Sequence, residues 1–212
     1  MDKLIVFDWG GIIEKFGPGD YTVKDAYLLM LEKMEYDFSG KKIDASIMDF
    51  IYELRNTFTI DENIELEKWY NNLGKKYNSV INYNDFIDYY MKYFNNTETN
   101  IDTINLIYET SKHYNTALLS NLNMLDIKRL EKQIKLDTFN YLFLSCKLGM
   151  KKPDNNIYEH VERVTGTKPK DIIFIDDSKQ NTKVASFRGW NVICENGMNT
   201  SKIKKKILEF TN

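Results

Sequence analysis

The chain contains 212 residues, with 29 basic against 31 acidic side chains and a formal net charge of −2 at pH 7. This balance provides no general attraction to nucleic acid or to an acidic membrane, so we expect neither as a partner. Two cysteines and two histidines exclude a disulfide framework and a metal centre rich in these residues. No stretch approaches the ~20 apolar residues of a membrane-spanning helix, and the first residues lack a signal-peptide pattern. We expect a cytoplasmic protein whose oligomeric state is left open, with a monomer favoured.

The first hundred residues predict one strand followed by helices. Leu4–Phe7 is a short apolar run that predicts a buried strand, and the glycines of Asp8-Trp9-Gly10-Gly11 favour a turn directly after it. From about residue 22 to residue 95, apolar residues recur at helical spacing, which predicts several amphipathic helices. Asp61 and Asn84 stand where N-caps of such helices are expected.

After residue 100, predicted helices and strands alternate, which is typical of a parallel sheet with helices on both faces. The predicted strands are 116–119, 141–145, 171–175 and 191–193, and the predicted helices are 101–112, 126–135, 157–164, 179–188 and 201–210. The first strand is expected to join this sheet. We therefore predict a core domain formed by residues 1–15 and 101–212, with a helical domain, residues 16–100, inserted into it.

Polar residues follow four of the predicted strands. In chain order they are Asp8, Ser120 with Asn121, Lys152, and Asp176 with Asp177. Because ligands of open parallel sheets bind beyond the carboxyl ends of the strands, we expect these side chains to meet in one crevice. A carboxylate nucleophile, a hydroxyl group, an ammonium group and an acidic pair that could hold Mg²⁺ together match phosphoryl chemistry.

Four segments containing these residues resemble, in order and spacing, the four motifs of the haloacid dehalogenase (HAD) superfamily. They are Phe7-Asp8-Trp9-Gly10-Gly11-Ile12, Leu119-Ser120-Asn121, Gly149-Met150-Lys151-Lys152-Pro153, and Phe174-Ile175-Asp176-Asp177-Ser178 with Asn181. About half of the chain looks like the α/β, Rossmann-like HAD core with its parallel sheet. Residues 16–100 look like the inserted all-helical cap domain of subfamily I. The Asp-x-Gly first motif and the approach to Lys152-Pro153 look most like those of bacterial sugar-phosphate phosphatases, particularly the α-D-glucose-1-phosphate phosphatases.

The resemblance implies a metal site and a nucleophile. Asp8 would attack phosphorus and form an aspartyl-phosphate that water later hydrolyses. Asp8, Asp177 and the backbone carbonyl of Gly10 would ligate Mg²⁺, with Asp176 as an alternate ligand or as a support for the others.

The resemblance also implies how the substrate is held. Ser120 and the backbone of Asn121 would bind the phosphoryl group, and Lys152 would bind it and orient Asp8. The expected reaction is Mg²⁺-dependent hydrolysis of a small phosphorylated metabolite, such as a sugar phosphate.

Gly10 departs from the family's pattern, because most HAD phosphatases have an aspartate there that protonates the leaving group. General acid–base catalysis typically contributes ~10²–10⁴-fold. Three explanations are open. The first is a leaving group that needs little protonation, such as an anomeric hydroxyl or an acyl phosphate. The second is a substitute acid, either Glu14 or a residue of the helical domain, and the third is a slow or non-catalytic metabolite-binding regulator. A 2-haloacid dehalogenase, which uses an aspartate but no Mg²⁺, is a further alternative that the acidic pair disfavours.

Overall fold

A computed structural model describes residues 3–15, 66–77, 82–94 and 97–211. Its strands are β1 (Leu4–Phe7), β2 (Glu14–Lys15), β3 (Glu98–Thr99), β4 (Asn115–Ser120), β5 (Tyr141–Leu144), β6 (Ile172–Asp176) and β7 (Asn191–Cys194). Its α-helices are α1 (Leu66–Tyr77), α2 (Tyr83–Phe94), α3 (Ile101–Ser111), α4 (Met124–Gln133), α5 (Ser145–Leu148), α6 (Asn155–Thr165), α7 (Lys179–Phe187) and α8 (Thr200–Thr211). None of the helices in these ranges is long and apolar enough to cross a membrane.

Five strands form one parallel sheet in the order β5-β4-β1-β6-β7. The first strand lies at its centre, with Phe7 aligned with Leu118 on one side and with Ile175 on the other. The predicted parallel sheet is therefore confirmed, and the ends of β4, β1 and β6 lie side by side. These three strands carry Ser120, Asp8 and Asp176 at or directly after their carboxyl ends.

Successive residues of the central strand pack on opposite faces of the sheet, as the alternation of side chains along a strand requires. Ile5 and Phe7 belong to a buried cluster that includes Ile107 of α3 and Ile203 of α8. Leu4 and Val6 belong to a second cluster, with Tyr158 and Val161 of α6 and Ala185 of α7. Because both faces are covered, these strands read as continuous apolar runs in the sequence.

A two-stranded antiparallel ribbon joins the ends of the long segment between the first strand and residue 100. In this ribbon Glu14 is aligned with Thr99, and Lys15 with Glu98. The chain leaves the sheet region after residue 15 and returns to the same place at residue 98. The ribbon was not predicted, because strands of two residues carry no periodic signal. The division into domains at residues 15 and 100 remains a prediction.

Two helices of the predicted helical segment, α1 and α2, lie within the described residues. The helices expected before residue 66, and the cap expected at Asp61, lie outside them. The cap expected at Asn84 is wrong, because Asn84 lies inside α2. Asn82 occupies the capping position instead: its Oδ1 accepts a hydrogen bond from the Asp85 N–H at 3.0 Å. In the sheet region, predicted strand ends lie within one residue of those observed, and helix ends within two.

Candidate active site

Lys152 lies between two of the predicted carboxylates. Its Nζ is 2.9 Å from Oδ1 of Asp8 and 2.6 Å from Oδ2 of Asp176. The residue is 2% exposed. Burial alone would lower the pKa of this lysine, but the charges of Asp176 and Asp8 outweigh burial and raise it. The two carboxylates therefore favour the protonated form of Lys152, whose ion pairs link the ends of β1 and β6.

Asp8, Asp176 and Asp177 each offer a carboxylate oxygen, and these oxygens lie within 4.8 Å of one another. Burial, offset in part by Lys152 and reinforced by the two other carboxylates, raises the pKa of Asp8 to about 7. Loss of hydration, and then the charge of Asp176, raises the pKa of Asp177 to about 6. Three carboxylates thus face one ammonium group, and this excess of negative charge together with an all-oxygen donor set fits a hard divalent cation such as Mg²⁺.

Asp176 is held more firmly than the two other carboxylates, Asp8 and Asp177. Besides Lys152, it accepts the Ser178 N–H at 2.7 Å and the Nδ2 of Asn181 at 3.0 and 3.2 Å from its two oxygens. The hydroxyl group of Tyr158 donates to the carbonyl of Asn181 at 3.0 Å. Sequence reasoning did not identify Tyr158, because a tyrosine on an apolar helical face predicts only packing.

The turn after β1 approaches Asp177 closely at Gly11. This residue has φ +76°, and a Cβ atom placed on it would lie 2.2 Å from Oδ2 of Asp177. A side chain at position 11 would therefore be strained and would displace the carboxylate. Within the same turn, the Trp9 N–H donates to Oδ1 of Asp8 at 2.7 Å, which orients the carboxylate.

The residues predicted after β4 occupy the neighbouring part of the same sheet edge. Ser120 is the last residue of β4 and is buried. The side chain of Asn121 is engaged with the main chain of Lys152: its Nδ2 donates to the carbonyl oxygen at 2.7 Å, and its Oδ1 accepts the N–H at 2.8 Å. Sequence reasoning assigned only the backbone of Asn121 a role, and no local pattern signals this contact across 31 residues.

Glu14, considered above as a replacement acid, lies in a different charged group. We call it the junction cluster: Glu14, Arg129 and Asp126, all buried. Arg129 forms ion pairs with Oε1 of Glu14 and with Oδ1 of Asp126. Charged groups acting on Glu14 are Arg129 and Asp126, whereas those acting on Asp8 are Lys152, Asp176 and Asp177. Glu14 is thus paired with Arg129. This arrangement does not support the expectation that Glu14 replaces the acid missing at position 10.

A short local pattern could have indicated part of the junction cluster. Asn123 and Asp126 form a capping box at the start of α4, in which each side chain accepts a backbone N–H of the other residue. The pattern Asn-x-x-Asp before an amphipathic run would have predicted a helix start at Met124, two residues earlier than the predicted 126. The contribution of Arg129 depends on distant residues, so no local pattern could reveal it.

Comparison with known proteins places these features in a family. The sequence model described as haloacid dehalogenase-like hydrolase matches residues 51–194, more than half of the chain. This segment contains Ser120, Lys152 and Asp177 and begins after Asp8. A flavin mononucleotide hydrolase of Arabidopsis thaliana is 38% identical over 66 residues, which are 31% of this chain. The chain spans only 27% of that relative's length.

Solved structures share the fold over nearly the whole chain. A protein from Porphyromonas gingivalis described as a predicted HAD-like family hydrolase matches with a TM-score of 0.74 and 21% identity, covering 98% of each chain. A HAD family enzyme from Bacteroides thetaiotaomicron, solved as a variant with magnesium and inorganic phosphate, matches with a TM-score of 0.71 and 18% identity, covering 91% of this chain and 93% of that one. The L-2-haloacid dehalogenase of Xanthobacter autotrophicus also matches, at TM-score 0.56 and 16% identity over 91% of this chain and 76% of that one.

Proposed function

The chain belongs to the haloacid dehalogenase-like hydrolase family, and on that basis we propose that it is a Mg²⁺-dependent phosphatase that uses Asp8 as its nucleophile. One observation carries the proposal: the oxygens of Asp8, Asp176 and Asp177 lie within 4.8 Å of one another, while Lys152 is 2.9 Å from Asp8. The concentrated negative charge of this cluster would repel an anionic substrate unless a cation were bound. A divalent cation bound to the carboxylates would remove this repulsion and allow a phosphate ester to bind at the same site.

The donor set supports a division of labour among the carboxylates. We assign the metal to Asp8, Asp177 and the backbone carbonyl of Gly10. Asp176, which already accepts hydrogen bonds from Asn181 and Ser178 and the ion pair of Lys152, supports the other groups. When bound, Mg²⁺ neutralises the carboxylates and the phosphoryl oxygens, which lowers their mutual repulsion.

The chain's own residues perform the transfer. An oxygen of Asp8 attacks phosphorus, the bond from phosphorus to the leaving oxygen breaks, and an aspartyl-phosphate remains. Lys152 keeps Asp8 oriented and balances charge on the transferring group. Ser120 and the backbone of Asn121 hold phosphoryl oxygens. Water then attacks the aspartyl-phosphate, which releases inorganic phosphate and restores Asp8.

The missing acid at position 10 narrows the substrate class. Gly10 has no side chain to protonate a leaving oxygen, and Glu14 is occupied by Arg129. The reaction is therefore best suited to a leaving group that departs readily, and we propose sugar 1-phosphates, in which the anomeric hydroxyl leaves. A small phosphorylated metabolite of this kind also requires no basic surface, in keeping with a net charge of −2.

A phosphate-release assay tests the proposal. Glucose 1-phosphate and glucose 6-phosphate are each incubated with the protein and Mg²⁺, with and without EDTA, alongside the Asp8→Asn variant. We expect release that depends on Mg²⁺ and on Asp8 and that favours the 1-phosphate. A clear preference for the 6-phosphate would contradict the substrate class.

Two further measurements separate the other candidate functions. Halide release from a 2-haloacid in the presence of EDTA would identify a dehalogenase. If a broad screen of sugar phosphates, nucleotides and acyl phosphates gives no turnover that Asp8→Asn abolishes, the protein is a metabolite-binding regulator.

A further inference from the structure

The main chain of Lys152 is held by one side chain from another part of the fold. The amide of Asn121 contacts both polar groups of this residue's backbone, donating to its carbonyl oxygen at 2.7 Å and accepting its N–H at 2.8 Å. The two contacts use both ends of a single planar amide, so they fix the position and the direction of the Lys152 main chain together.

The two residues differ in how firmly their own segments are anchored. Asn121 directly follows β4, whose last residue Ser120 is aligned with Leu144 in the sheet. Lys152 lies between α5 and α6, outside any strand. A lysine side chain has four rotatable bonds and loses considerable rotamer freedom when it is fixed. Its ion pairs to Asp8 and Asp176 alone therefore do not determine where its main chain lies.

We propose that Asn121 is a positioning residue for Lys152, which holds the main chain of this loop against the sheet so that the ammonium group lies between Asp8 and Asp176. This inference rests on the proposed function, because the lysine matters only if Asp8 is a nucleophile. The role belongs to the side chain of Asn121 and is separate from phosphate binding by its backbone. Since both ends of the amide are engaged with Lys152, the side chain acts on the reaction through the lysine.

The first experiment measures the placement of Lys152 without any substrate or added metal. The protein is treated with a limiting amount of acetic anhydride, and acetylation at each lysine is quantified by mass spectrometry, with the exposed Lys112 as internal reference. We expect Lys152 to be strongly protected in the natural protein. In Asn121→Ala its labelling should rise several-fold, while the reference lysine keeps its rate.

The second experiment is a double-variant cycle with p-nitrophenyl phosphate, whose good leaving group keeps slow variants measurable. Misplacing a catalytic group by about 1 Å can cost ~10²-fold, and we expect Asn121→Ala to lower kcat by about that factor. Because the residue acts through Lys152, the double variant with Lys152→Ala should be no slower than Lys152→Ala alone. Independent contributions would instead multiply.

Two further variants keep the test decisive. Asn121→Asp preserves size and the acceptor for the Lys152 N–H but loses the donor, so its labelling and kcat should be intermediate. Asn140→Ala is the matched control, because the Oδ1 of Asn140 also accepts a backbone N–H, that of Thr116 at 2.8 Å, but at the amino end of β4. We expect it to leave Lys152 labelling and kcat unchanged.

The outcomes separate this inference from the proposed function. If Lys152 labelling is unchanged in both Asn121 variants, or if the kinetic losses of Asn121→Ala and Lys152→Ala multiply, Asn121 does not position the lysine. If labelling rises but the natural protein hydrolyses no phosphate ester, the contact holds Lys152 as described and the phosphatase proposal fails.

Discussion

Two groups of charged side chains, all of them buried except Asp177, lie near the turn that follows the first strand. The strand-end cluster consists of Asp8, Lys152, Asp176 and Asp177, and the junction cluster consists of Glu14, Asp126 and Arg129. Both place carboxylates beside one cation, and burial raises the pKa of Asp8 in the first, and of Glu14 in the second, to about 7. Raised carboxyl pKa values therefore do not distinguish a reactive site from a structural one.

The surroundings of the two clusters do distinguish them. In the junction cluster, neutral donors add to the ion pairs: the hydroxyl of Tyr90 donates to Oδ1 of Asp126 at 2.8 Å, and that of Thr97 donates to Oε1 of Glu14 at 2.5 Å. The second oxygen of Glu14, Oε2, is buried without a hydrogen-bond partner among the described residues. These residues come from β2, α2, the segment before β3, and α4, so the cluster links β2 and α2 to α4. In the strand-end cluster, three carboxylates share one lysine, and Asp177 is exposed to solvent. Carboxylates outnumber cations in both clusters, so it is the side open to solvent that indicates a ligand, whereas full enclosure indicates a structural connection.

The largest expected effect comes from removing Asp8, the proposed nucleophile. Asp8→Asn should lower phosphate release by about 10⁴- to 10⁶-fold, the order of loss found when single members of a nucleophilic catalytic triad are removed. Thermal unfolding should show a Tm no lower than that of the natural protein, because one of three mutually repelling carboxylates becomes neutral. Turnover close to that of the natural protein would mean that Asp8 is not the nucleophile.

Substitution in the junction cluster should lower the stability of the protein, in contrast to Asp8→Asn. Arg129→Met leaves Glu14 and Asp126 buried without their cation, and breaking a buried ion pair typically costs about 3–5 kcal/mol of unfolding free energy. Urea unfolding measures this loss. Lys112→Met is the control, since its ion pair with Glu109 is exposed at the surface and should change stability by less than about 1 kcal/mol. Equal effects of the two substitutions would show that the buried pair is not structurally important.

Metal binding should change the stability of the protein by a smaller amount, and this change should depend on the strand-end cluster alone. A ligand that binds only the folded protein adds about 2.7 kcal/mol of stability at 100 times its Kd, so Mg²⁺ should raise Tm and EDTA should reverse the rise. Asp177→Asn should remove most of this shift, whereas Glu14→Gln should preserve it. The same Mg²⁺-induced shift in both variants would place the metal elsewhere.

A further expected effect is a change in how the stability of the protein depends on pH. The pKa of Glu14 is raised from its ordinary 4.5 to about 7 in the folded protein. The folded state therefore binds a proton that the unfolded state has released, so the stability contributed by this group is present below about pH 4.5 and is lost as pH rises to about 7. Glu14→Gln removes this loss, and its Tm relative to the natural protein should increase across that range. A constant Tm difference would mean that Glu14 is ionised throughout.

Much of the fold was accessible from the sequence because its strands and helices carry strong local signals. Leu4–Phe7 and 141–145 are short apolar runs, and both form strands within one residue of the predicted ends. The ribbon β2–β3 and the cap at Asn82 were missed, since the ribbon strands are too short for periodicity and a cap position can be shifted by two residues without changing the apolar pattern.

The candidate site was predictable in composition but not in its internal contacts. The parallel sheet implies that Asp8, Ser120 and Asp176 share one edge, because every parallel strand ends on the same side. The Asn121 amide contacts Lys152, 31 positions further along the chain, and Glu14 pairs with Arg129, 115 positions further along. No local pattern of polar residues encodes such contacts.

The sequence by itself determined the alternation of strands and helices, the polar residues that follow the strands and the absence of an acid at position 10, because each depends on residue type and spacing alone. Only the tertiary structure decided that Glu14 pairs with Arg129, that Asp176 is held by Asn181, and that three carboxylates face one lysine. Hydrogen bonds and ion pairs act over a few ångströms, so their partners are set by how the strands and helices pack and not by their order along the chain.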